Sequence, residues 1–265
     1  MSAPFRFQPG HAPLIVSVPH AGLSIPEDIA ADLTEVGLDQ PDADHAVDQL
    51  YDFATDLGAS LIVANLSRYV VDLNRPPNDA SLYPGQVGSG LVPTETFDGA
   101  PLYRRACPSA AEVARRVALY WRPYHAALSA EIARVRARFG YCLLWDAHSI
   151  TPVEPRLFEG RLPDLNLGSF DGRAAPRALA DVVLAAADGA YSRVVDGRFK
   201  GGYITRAYGD PQAFVFALQM ELAQSTYLAE GARLPDPLLS GQLRSCLKTL
   251  LKTFLSEAPS YVRHA

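Results

Sequence analysis

The segment that decides the fold reads Leu143-Leu144-Trp145-Asp146-Ala147-His148-Ser149. Its apolar beginning predicts a buried β-strand, and the run ends in an aspartate, a histidine and a serine. In open α/β sheets, ligands bind at the carboxyl ends of the strands, so polar side chains at this point indicate a functional site. The alternative is that Asp146 and His148 only satisfy a turn by hydrogen bonding.

Further strands and helices are predicted on both sides of this segment. The predicted strands are 14–18, 60–64, 69–71 and, with a helix as the competing interpretation, 214–222. The predicted helices are 47–57, 110–139 with an interruption at Pro123, 176–187 and 235–254. Strands that alternate with helices favour an α/β fold, a three-layer αβα architecture around a mostly parallel mixed sheet.

Composition and charge restrict the class of protein. The 265 residues are 48% hydrophobic and 20% charged, which is ordinary for a globular protein, and we expect one domain over 1–265. With a net charge of −5 and no lysine-rich or arginine-rich run, nucleic acid is not an expected partner. Residues 1–10 lack the regions of a signal peptide and no apolar run is long enough to span a membrane, so we expect a cytoplasmic protein.

The cysteines and the serine beside His148 offer little reactive chemistry. Cys107, Cys142 and Cys246 are widely spaced and odd in number, which argues against a disulfide framework and against a cysteine zinc site. Cys142 lies inside the apolar strand, and Ser149 lacks a Gly-x-Ser-x-Gly turn. Both are therefore poor nucleophile candidates.

Two histidines stand at the ends of predicted strands. His20 follows the strand 14–18, and His148 ends the strand quoted above. With an acidic residue near Asp44 they offer two imidazoles and one carboxylate, the ligand set of a catalytic zinc with an open position for water. A lone histidine is more often a turn or core residue, and Asp42 or Asp44 could simply cap the following helix, so the signal comes from the combination.

A long loop is predicted over residues 78–108. It contains Gly85, Gly88, Gly90 and Gly99 and follows a double proline. Loops of this length are uncommon without a function, so this one is a candidate lid over a site. Farther along, residues 201–206 begin with two glycines and are predicted to be a flexible turn that leads into a short extended piece.

Six short motifs carry a more specific signal. They are Pro19-His20-Ala21-Gly22, Asp44 with Val47-Asp48-Gln49-Leu50-Tyr51, Asp72-Leu73-Asn74-Arg75, Asp146-Ala147-His148-Ser149, Gly201-Gly202-Tyr203-Ile204-Thr205-Arg206 and Gln219-Met220-Glu221-Leu222. As an ordered set over nearly the whole chain, they resemble the N-formylglutamate amidohydrolases. The third and fourth motifs also resemble those of aspartoacylases and other zinc-carboxypeptidase-like hydrolases. The resemblance implies a phosphorylase/hydrolase-like (zinc carboxypeptidase-like) α/β fold and one zinc ion per chain.

The resemblance also implies the metal ligands. His20 and His148 match the first and the last metal histidines of the family. Asp44 is the favoured acidic ligand, because it stands at the start of the helix after the first strand, as the acidic ligand does in related zinc amidases. Asp48 is the reserve.

Catalytic and substrate-binding residues follow from the same resemblance. Glu221 matches the general base, and Arg68 corresponds to the arginine that stabilises the oxyanion. Asn74 and Arg75 match the pair that holds a substrate carboxylate. Arg206 is the candidate for a second carboxylate, since guanidinium binds carboxylates in a two-pronged way, with a loop-stiffening surface arginine as its alternative role.

The implied reaction is the hydrolysis of N-formyl-L-glutamate to formate and L-glutamate, the last step of one route of histidine breakdown. Zinc would lower the pKa of bound water to about 7, and Glu221 would act as the base. The alternatives are a zinc hydrolase of another small N-acyl amino acid and a non-catalytic metabolite-binding relative. We expect a small-molecule substrate, no membrane or nucleic-acid partner, and a monomer or small homo-oligomer.

Overall fold

The computed structural model describes residues 3–82, 85 and 88–262 of the chain. These residues form a seven-stranded sheet. Its strands, numbered along the chain, are β1 Phe5–Gln8, β2 Leu14–Val18, β3 Ser60–Ala64, β4 Cys142–Ile150, β5 Leu165–Gly168, β6 Arg193–Val195 and β7 Val215–Ala223. They lie side by side in the order β1-β3-β2-β4-β7-β5-β6.

The sheet is mixed and mostly parallel, as predicted. Parallel pairs join β2 to β3, β2 to β4, β4 to β7 and β5 to β6. Antiparallel pairs join β1 to β3 and β5 to β7. The four central strands are therefore parallel, and their carboxyl ends meet at one edge of the sheet.

Helices cover both faces of this sheet. They are α1 Glu27–Ala30, α2 Glu35–Asp39, α3 Val47–Leu50, α4 Ala110–Arg116, α5 Arg122–Phe139, α6 Arg177–Ala185, α7 Tyr203–Tyr208 and α8 Pro237–Val262. One apolar cluster joins α3, α6 and α8 to one face, and a second joins α5 and α7 to the other. This confirms the three-layer αβα architecture. Within the described part of the chain, no helix combines the length and the apolar character needed to cross a membrane.

One face of strand β4 changes from apolar to charged side chains along its length. Leu143, Trp145 and Ala147 belong to the cluster beneath α8, so this side of the strand is apolar as far as Ala147, and Ser149 beyond it pairs with the Tyr227 hydroxyl. On the opposite side, Leu144 is followed by Asp146 and His148. Because side chains alternate across a strand, the polar residues emerge at the carboxyl end of a single face.

The same alternation holds for β7. It confirms a strand rather than a helix over this segment, with Gln219 and Glu221 on the face opposite Leu218 and Met220. The parallel register sets Glu221 opposite His148.

Two local predictions were wrong. Residues 69–71 are not a strand but a buried turn, in which the Ser67 carbonyl accepts from the Val70 amide. Their apolar character reflects burial alone. The short extended piece predicted after Gly201 and Gly202 is instead the start of helix α7, because the Asn74 side chain, distant in sequence, accepts a hydrogen bond from the Ile204 amide at 2.8 Å and satisfies the helix terminus.

Two predicted helices are present but irregular. The segment 47–57 divides into α3 and a 3₁₀ helix, Asp52–Leu57, which ends at Gly58 in the left-handed conformation (φ 74°). The segment 110–139 runs from α4 to α5 through a π-helical turn, Val117–Trp121, that directly precedes the turn containing Pro123. This wider turn accommodates the missing amide of the proline without ending the helix. Strands β1, β5 and β6 were not predicted.

Helix α5 supports the Asp72–Arg75 motif through a buried histidine. His125 lies 2.9 Å from the Leu73 carbonyl through Nε2 and 2.9 Å from the Tyr208 hydroxyl through Nδ1. Burial lowers the pKa of His125 to about 4. The neutral imidazole is therefore the form that the folded protein holds at neutral pH.

We expect this histidine to make stability fall in mild acid. The unfolded chain takes up a proton at His125 below its ordinary pKa of 6.5, whereas the folded chain does so only near 4, so stability is lost as the pH falls between these values. Between pH 7 and pH 5 the loss from this group is about 1 to 2 kcal/mol. Urea unfolding of the wild type and of His125→Gln at both pH values measures it. Equal losses in the two proteins would contradict the assignment.

Candidate functional site

Three buried side chains converge at the carboxyl edge of the sheet. His20 follows β2, His148 lies near the end of β4, and Asp44 precedes α3. Nδ1 of His148 lies 3.2 Å from Nδ1 of His20 and 3.2 Å from Oδ2 of Asp44. The remaining pair, His20 Nδ1 and Asp44 Oδ2, is 3.7 Å apart. The three residues therefore turn one potential ligand atom each toward a common point.

These spacings fit a small divalent cation. Zinc takes nitrogen and oxygen ligands at about 2.0–2.2 Å in a tetrahedral arrangement, so two of its ligand atoms lie roughly 3.3 to 3.6 Å apart. The three observed separations, 3.2, 3.2 and 3.7 Å, are close to this range. A group of two imidazoles and one carboxylate also leaves a fourth position for water or substrate. The buried group could thus bind a metal ion.

A second carboxylate orients each histidine from behind. Nε2 of His20 lies 2.8 Å from Oδ1 of Asp72, and Nε2 of His148 lies 2.8 Å from Oδ2 of Asp146. In the neutral tautomer whose Nε2–H donates to its carboxylate, each imidazole turns the lone pair of its Nδ1 toward the common point, which is the form that binds a metal ion. Asp146 is itself held by the Ser17 hydroxyl, which donates to Oδ1 at 3.0 Å. Both rings are therefore fixed before any ligand binds.

The buried carboxylates remain charged. Burial disfavours the ionised form of Asp44, but His20 and His148 outweigh burial and hold the pKa of its carboxyl below the usual range. Burial also opposes ionisation of Asp72, and His20 and Arg68 hold the pKa of that carboxyl well below its usual value. Negative charge is thus concentrated where the two histidines meet.

The same negative charge acts on His148. Burial alone would lower its pKa, but Asp146, Asp44 and Glu221 together raise the pKa of His148 well above its ordinary value. A field that favours a proton on an imidazole also favours a metal cation at the same place. The electrostatic field and the geometry of the potential ligand atoms therefore both favour a cation at this point.

Asp44 and Asp48, the two candidates for the acidic ligand, lie in different surroundings. Asp44 is fully buried, and its Oδ2 accepts a hydrogen bond from the Ser149 amide at 3.1 Å. It does not cap α3, since Ala46 stands at the N-cap position with no side-chain bond. Asp48 instead forms a surface ion pair with Arg6 at 2.5 Å. Asp44 is thus the carboxylate that lies beside His20 and His148.

Arg68 joins the group from the turn that precedes the Asp72–Arg75 motif. Its Nη2 lies 2.8 Å from Oδ2 of Asp72, and its Nη1 lies 3.4 Å from Oδ1 of Asp44. Burial would lower the pKa of this guanidinium, but Asp72, Asp44 and Asp42 raise it further above its usual value. Its Nε is a buried donor without a hydrogen-bond partner in the described chain, so Arg68 retains a donor for a ligand oxygen.

Glu221 lies across from His148 on the neighbouring strand. Its side chain is buried, and its Oε2 accepts a hydrogen bond from Gln219 Nε2 at 3.2 Å. Burial raises the pKa of Glu221 to about 8, against the attraction of His148. A carboxyl with a pKa near neutrality can both accept and release a proton at physiological pH.

A cavity of about 80 Å³ opens onto these groups. The lining residues include His20, Asp44, Arg68, Asn74, Arg75, Ser89, Phe97, His148, Ile150, Arg198, Phe199 and Glu221. Asn74 Nδ2 donates to Asp146 Oδ2 at 3.2 Å, and a Cβ at Gly202 would collide with the Asn74 side chain. Glycine at 202 therefore allows Asn74 to lie between helix α7 and the histidines.

The predicted carboxylate-binding arginines lie in different surroundings. Arg75 lines the cavity, and its guanidinium is fixed by the Ser89 carbonyl at 2.8 Å and the Ser89 hydroxyl at 3.0 Å. Arg206 donates to the carbonyls of Gly201 and Leu82, and among the described residues it is not part of the cavity lining.

Arg198 lines the cavity and was not singled out in the sequence. It follows β6, and its Nε donates to the Leu157 carbonyl at 2.8 Å. Asp72 was quoted only as part of a motif, although its carboxylate holds His20. Gln219 was likewise quoted without a role. For Asp72 and Gln219 the signal was their place in motifs, whereas Arg198 stands in a segment with no recognisable pattern.

The long loop contributes walls to the cavity. Ser89 and Phe97 line it, and the turn at Phe97 is anchored by the Asp42 carboxylate, whose Oδ2 accepts from the Phe97 amide at 2.9 Å. Residues 83, 84, 86 and 87 of the predicted lid lie outside the described residues. Closure of the loop stays a prediction.

Comparisons with known proteins agree with this geometry. The model of the N-formylglutamate amidohydrolase family matches residues 12–228. The N-formylglutamate deformylase of Pseudomonas putida is 49% identical over 234 residues, which cover 87% of each chain. The deformylase of the same name from Pseudomonas aeruginosa is 47% identical over 261 residues, or 97% of each chain.

Solved structures show the same fold. The crystal structure of N-formylglutamate amidohydrolase from Ralstonia eutropha superposes with a TM-score of 0.80 at 28% identity, covering 99% of this chain and 100% of that one. A protein of Agrobacterium tumefaciens at 21% identity, with a TM-score of 0.70 and coverage of 95% and 96%, shares the fold. From the family match, the two relatives and the arrangement of the site, the chain belongs to the N-formylglutamate amidohydrolase family.

Proposed function

We propose that this protein hydrolyses N-formyl-L-glutamate to formate and L-glutamate. The observation that carries the proposal is the convergence of His20, Asp44 and His148 on one point beside Glu221, inside a small cavity lined by arginines. Both curated relatives described above are named for this substrate. The cavity suits a small ligand that carries negative charge.

We propose zinc as the metal, with His20, Asp44 and His148 as its ligands. The nitrogen and carboxylate donors and their spacing suit zinc, and their buried negative charge favours a divalent cation. When bound there, zinc supplies a Lewis acid that polarises the formyl carbonyl and lowers the pKa of water. Asp72 and Asp146 keep the two histidines oriented for this role.

Glu221 is the proposed general base. It accepts a proton from the attacking water as the new C–O bond forms at the formyl carbon. The same carboxyl then donates that proton to the nitrogen as the C–N bond breaks. The second proton of the water passes from the nascent formic acid to the amine, so formate and the ammonium form of glutamate leave. The pKa of Glu221, raised to about 8 by burial, suits a group that must carry a proton between these two atoms.

Arg68 is the proposed stabiliser of the charge that develops on the formyl oxygen. Its side chain lies beside Asp44, and its Nε donor has no partner in the described chain. Removal of one such donor from an oxyanion site typically costs about 3 to 4 kcal/mol of transition-state stabilisation. Its ion pair with Asp72 keeps the guanidinium in place between turnovers.

The substrate carries two carboxylates, and we propose Arg75 and Arg198 as their partners. Arg75 follows Asn74, whose Nδ2 lies 2.9 Å from His148 Nε2, so it suits the α-carboxylate next to the scissile amide. Arg198 approaches from the β6 end of the sheet and suits the side-chain carboxylate. Arg206 stays the prediction from the sequence for this second role.

We also infer that residues 1–265 work as one catalytic unit, because strands from both halves of the chain join one sheet. The three free cysteines, Cys107, Cys142 and Cys246, suit a reducing compartment such as the cytoplasm. A monomer or small homo-oligomer stays the expected state.

The activity and its metal requirement are tested together. Formate or acetate release is measured with N-formyl and N-acetyl derivatives of glutamate and aspartate, before and after chelation and after addition of zinc. We expect N-formyl-L-glutamate to be preferred, activity to vanish with the metal, and zinc to restore it. Equal turnover of an acetyl compound would reject the formyl assignment, and a metal-free protein with full activity would reject the zinc mechanism.

Substitution of the base tests its role. Glu221→Gln is expected to lower kcat by about 10²- to 10⁴-fold, because the amide cannot accept the proton, with KM and metal content unchanged. Glu154→Gln is the matched control: burial raises the pKa of Glu154 as well, but among described residues it is not in the cavity lining. An active, metal-loaded Glu221→Gln enzyme would remove Glu221 from the mechanism.

Substitution of the arginines distinguishes the two candidates for the second carboxylate. Arg75→Gln and Arg198→Gln are each expected to raise KM for N-formyl-L-glutamate by about 10- to 100-fold, since each loses a charged hydrogen bond. Arg206→Gln should have little effect. Steady-state kinetics of the three variants decides: a large rise in KM for Arg206→Gln alone would favour the sequence prediction over Arg198.

A further inference from the structure

Two side chains separate the small cavity from a much larger one. The second cavity, of about 720 Å³, is lined by Pro152, Glu154, Leu228 and neighbouring residues. Phe97 and Ile150 line both cavities. These two apolar residues therefore form a partition, and the second cavity lies on its far side.

The partition stands next to the reacting groups. Ile150 is two residues beyond His148 on β4, so its side chain follows the imidazole on the same face of the strand. The guanidinium carbon of Arg68 lies 4.9 Å from the centre of the Phe97 ring. Since His148 and Arg68 are the groups proposed to face the formyl carbonyl, the partition borders the acyl end of the substrate and not its carboxylate end.

The backbone holds Phe97 in place. Its amide donates to Asp42 Oδ2 at 2.9 Å, and Arg156 Nη1 donates to its carbonyl at 3.2 Å. The turn around it is closed by the Thr96 amide, which donates to the Ala100 carbonyl at 2.9 Å. The peptide of Phe97 is thus held from both sides, and its ring packs beside the Arg68 guanidinium.

We propose that Phe97, together with Ile150, sets the acyl-group specificity by leaving room for a formyl hydrogen but not for a methyl group. This inference rests on the proposed function and concerns which acyl groups the same site accepts. A wall on a held backbone discriminates by size, because a larger acyl group must displace the ring that packs beside Arg68. Shortening the wall would connect the acyl end to the larger cavity.

The inference is tested by comparing the hydrolysis of N-acetyl-L-glutamate with that of N-formyl-L-glutamate. For Phe97→Ala we expect the ratio of kcat/KM for N-acetyl-L-glutamate to kcat/KM for N-formyl-L-glutamate to rise by about tenfold or more. Ile150→Ala should move the ratio in the same direction. Phe199→Ala is the matched control, since Phe199 lines only the first of these two cavities, and it should leave the ratio unchanged.

The outcomes separate this inference from the proposed function. A wild-type enzyme that cleaves N-formyl-L-glutamate, with Phe97→Ala and Ile150→Ala variants that keep its acyl ratio, would overturn the inference and leave the function intact. A wild type without deformylase activity would reject the function itself. Phe97 is half-buried and lies outside the four apolar clusters, so the Phe97→Ala variant should fold, and thermal unfolding checks this.

Discussion

The site depends on the burial of four carboxyl groups around two imidazoles. Asp44, Asp72, Asp146 and Glu221 are all removed from water, and such charges are tolerated only when opposite charge or hydrogen bonds compensate them. Arg68 provides one positive charge, through Asp72 and Asp44. The remaining negative charge lies where His20, Asp44 and His148 meet, so the same buried charges that are costly to desolvate make this a group that could bind a divalent cation.

The sheet makes this arrangement possible. In β4 one face is apolar from Leu143 to Ala147 and in β7 one face is apolar from Phe216 to Leu222, while the other face of each strand becomes polar near the carboxyl end. The apolar face keeps the strands packed under α8, while the register sets His148 opposite Glu221. The residues that pack in the core and the residues that form the site therefore lie on opposite faces of the same two strands.

The sequence was most informative where one strand contained both apolar packing residues and polar residues of the site. An apolar run that ends in polar residues predicted the strand over 143–149, and a period of two predicted the strand over 214–222 against a competing helix. Together they placed His148 and Glu221 at the polar edge of the sheet. It failed where distant contacts decide the structure. Helix α7 begins where it does because the Asn74 side chain satisfies the Ile204 amide, and Arg198 reaches the cavity from a segment without a pattern. The apolar residues 69–71 are buried in a turn that serine hydrogen bonds create.

The proposed set of metal ligands has a consequence for the folding pathway. His20 and His148 are 128 residues apart in the chain, and Asp44 and His148 are 104 apart. Contacts of such high sequence separation form late, because long loops must close before they yield any stabilising interaction. A partly folded chain therefore offers no preorganised place for a metal ion, and acquisition of the ion would report that the central strands have already assembled.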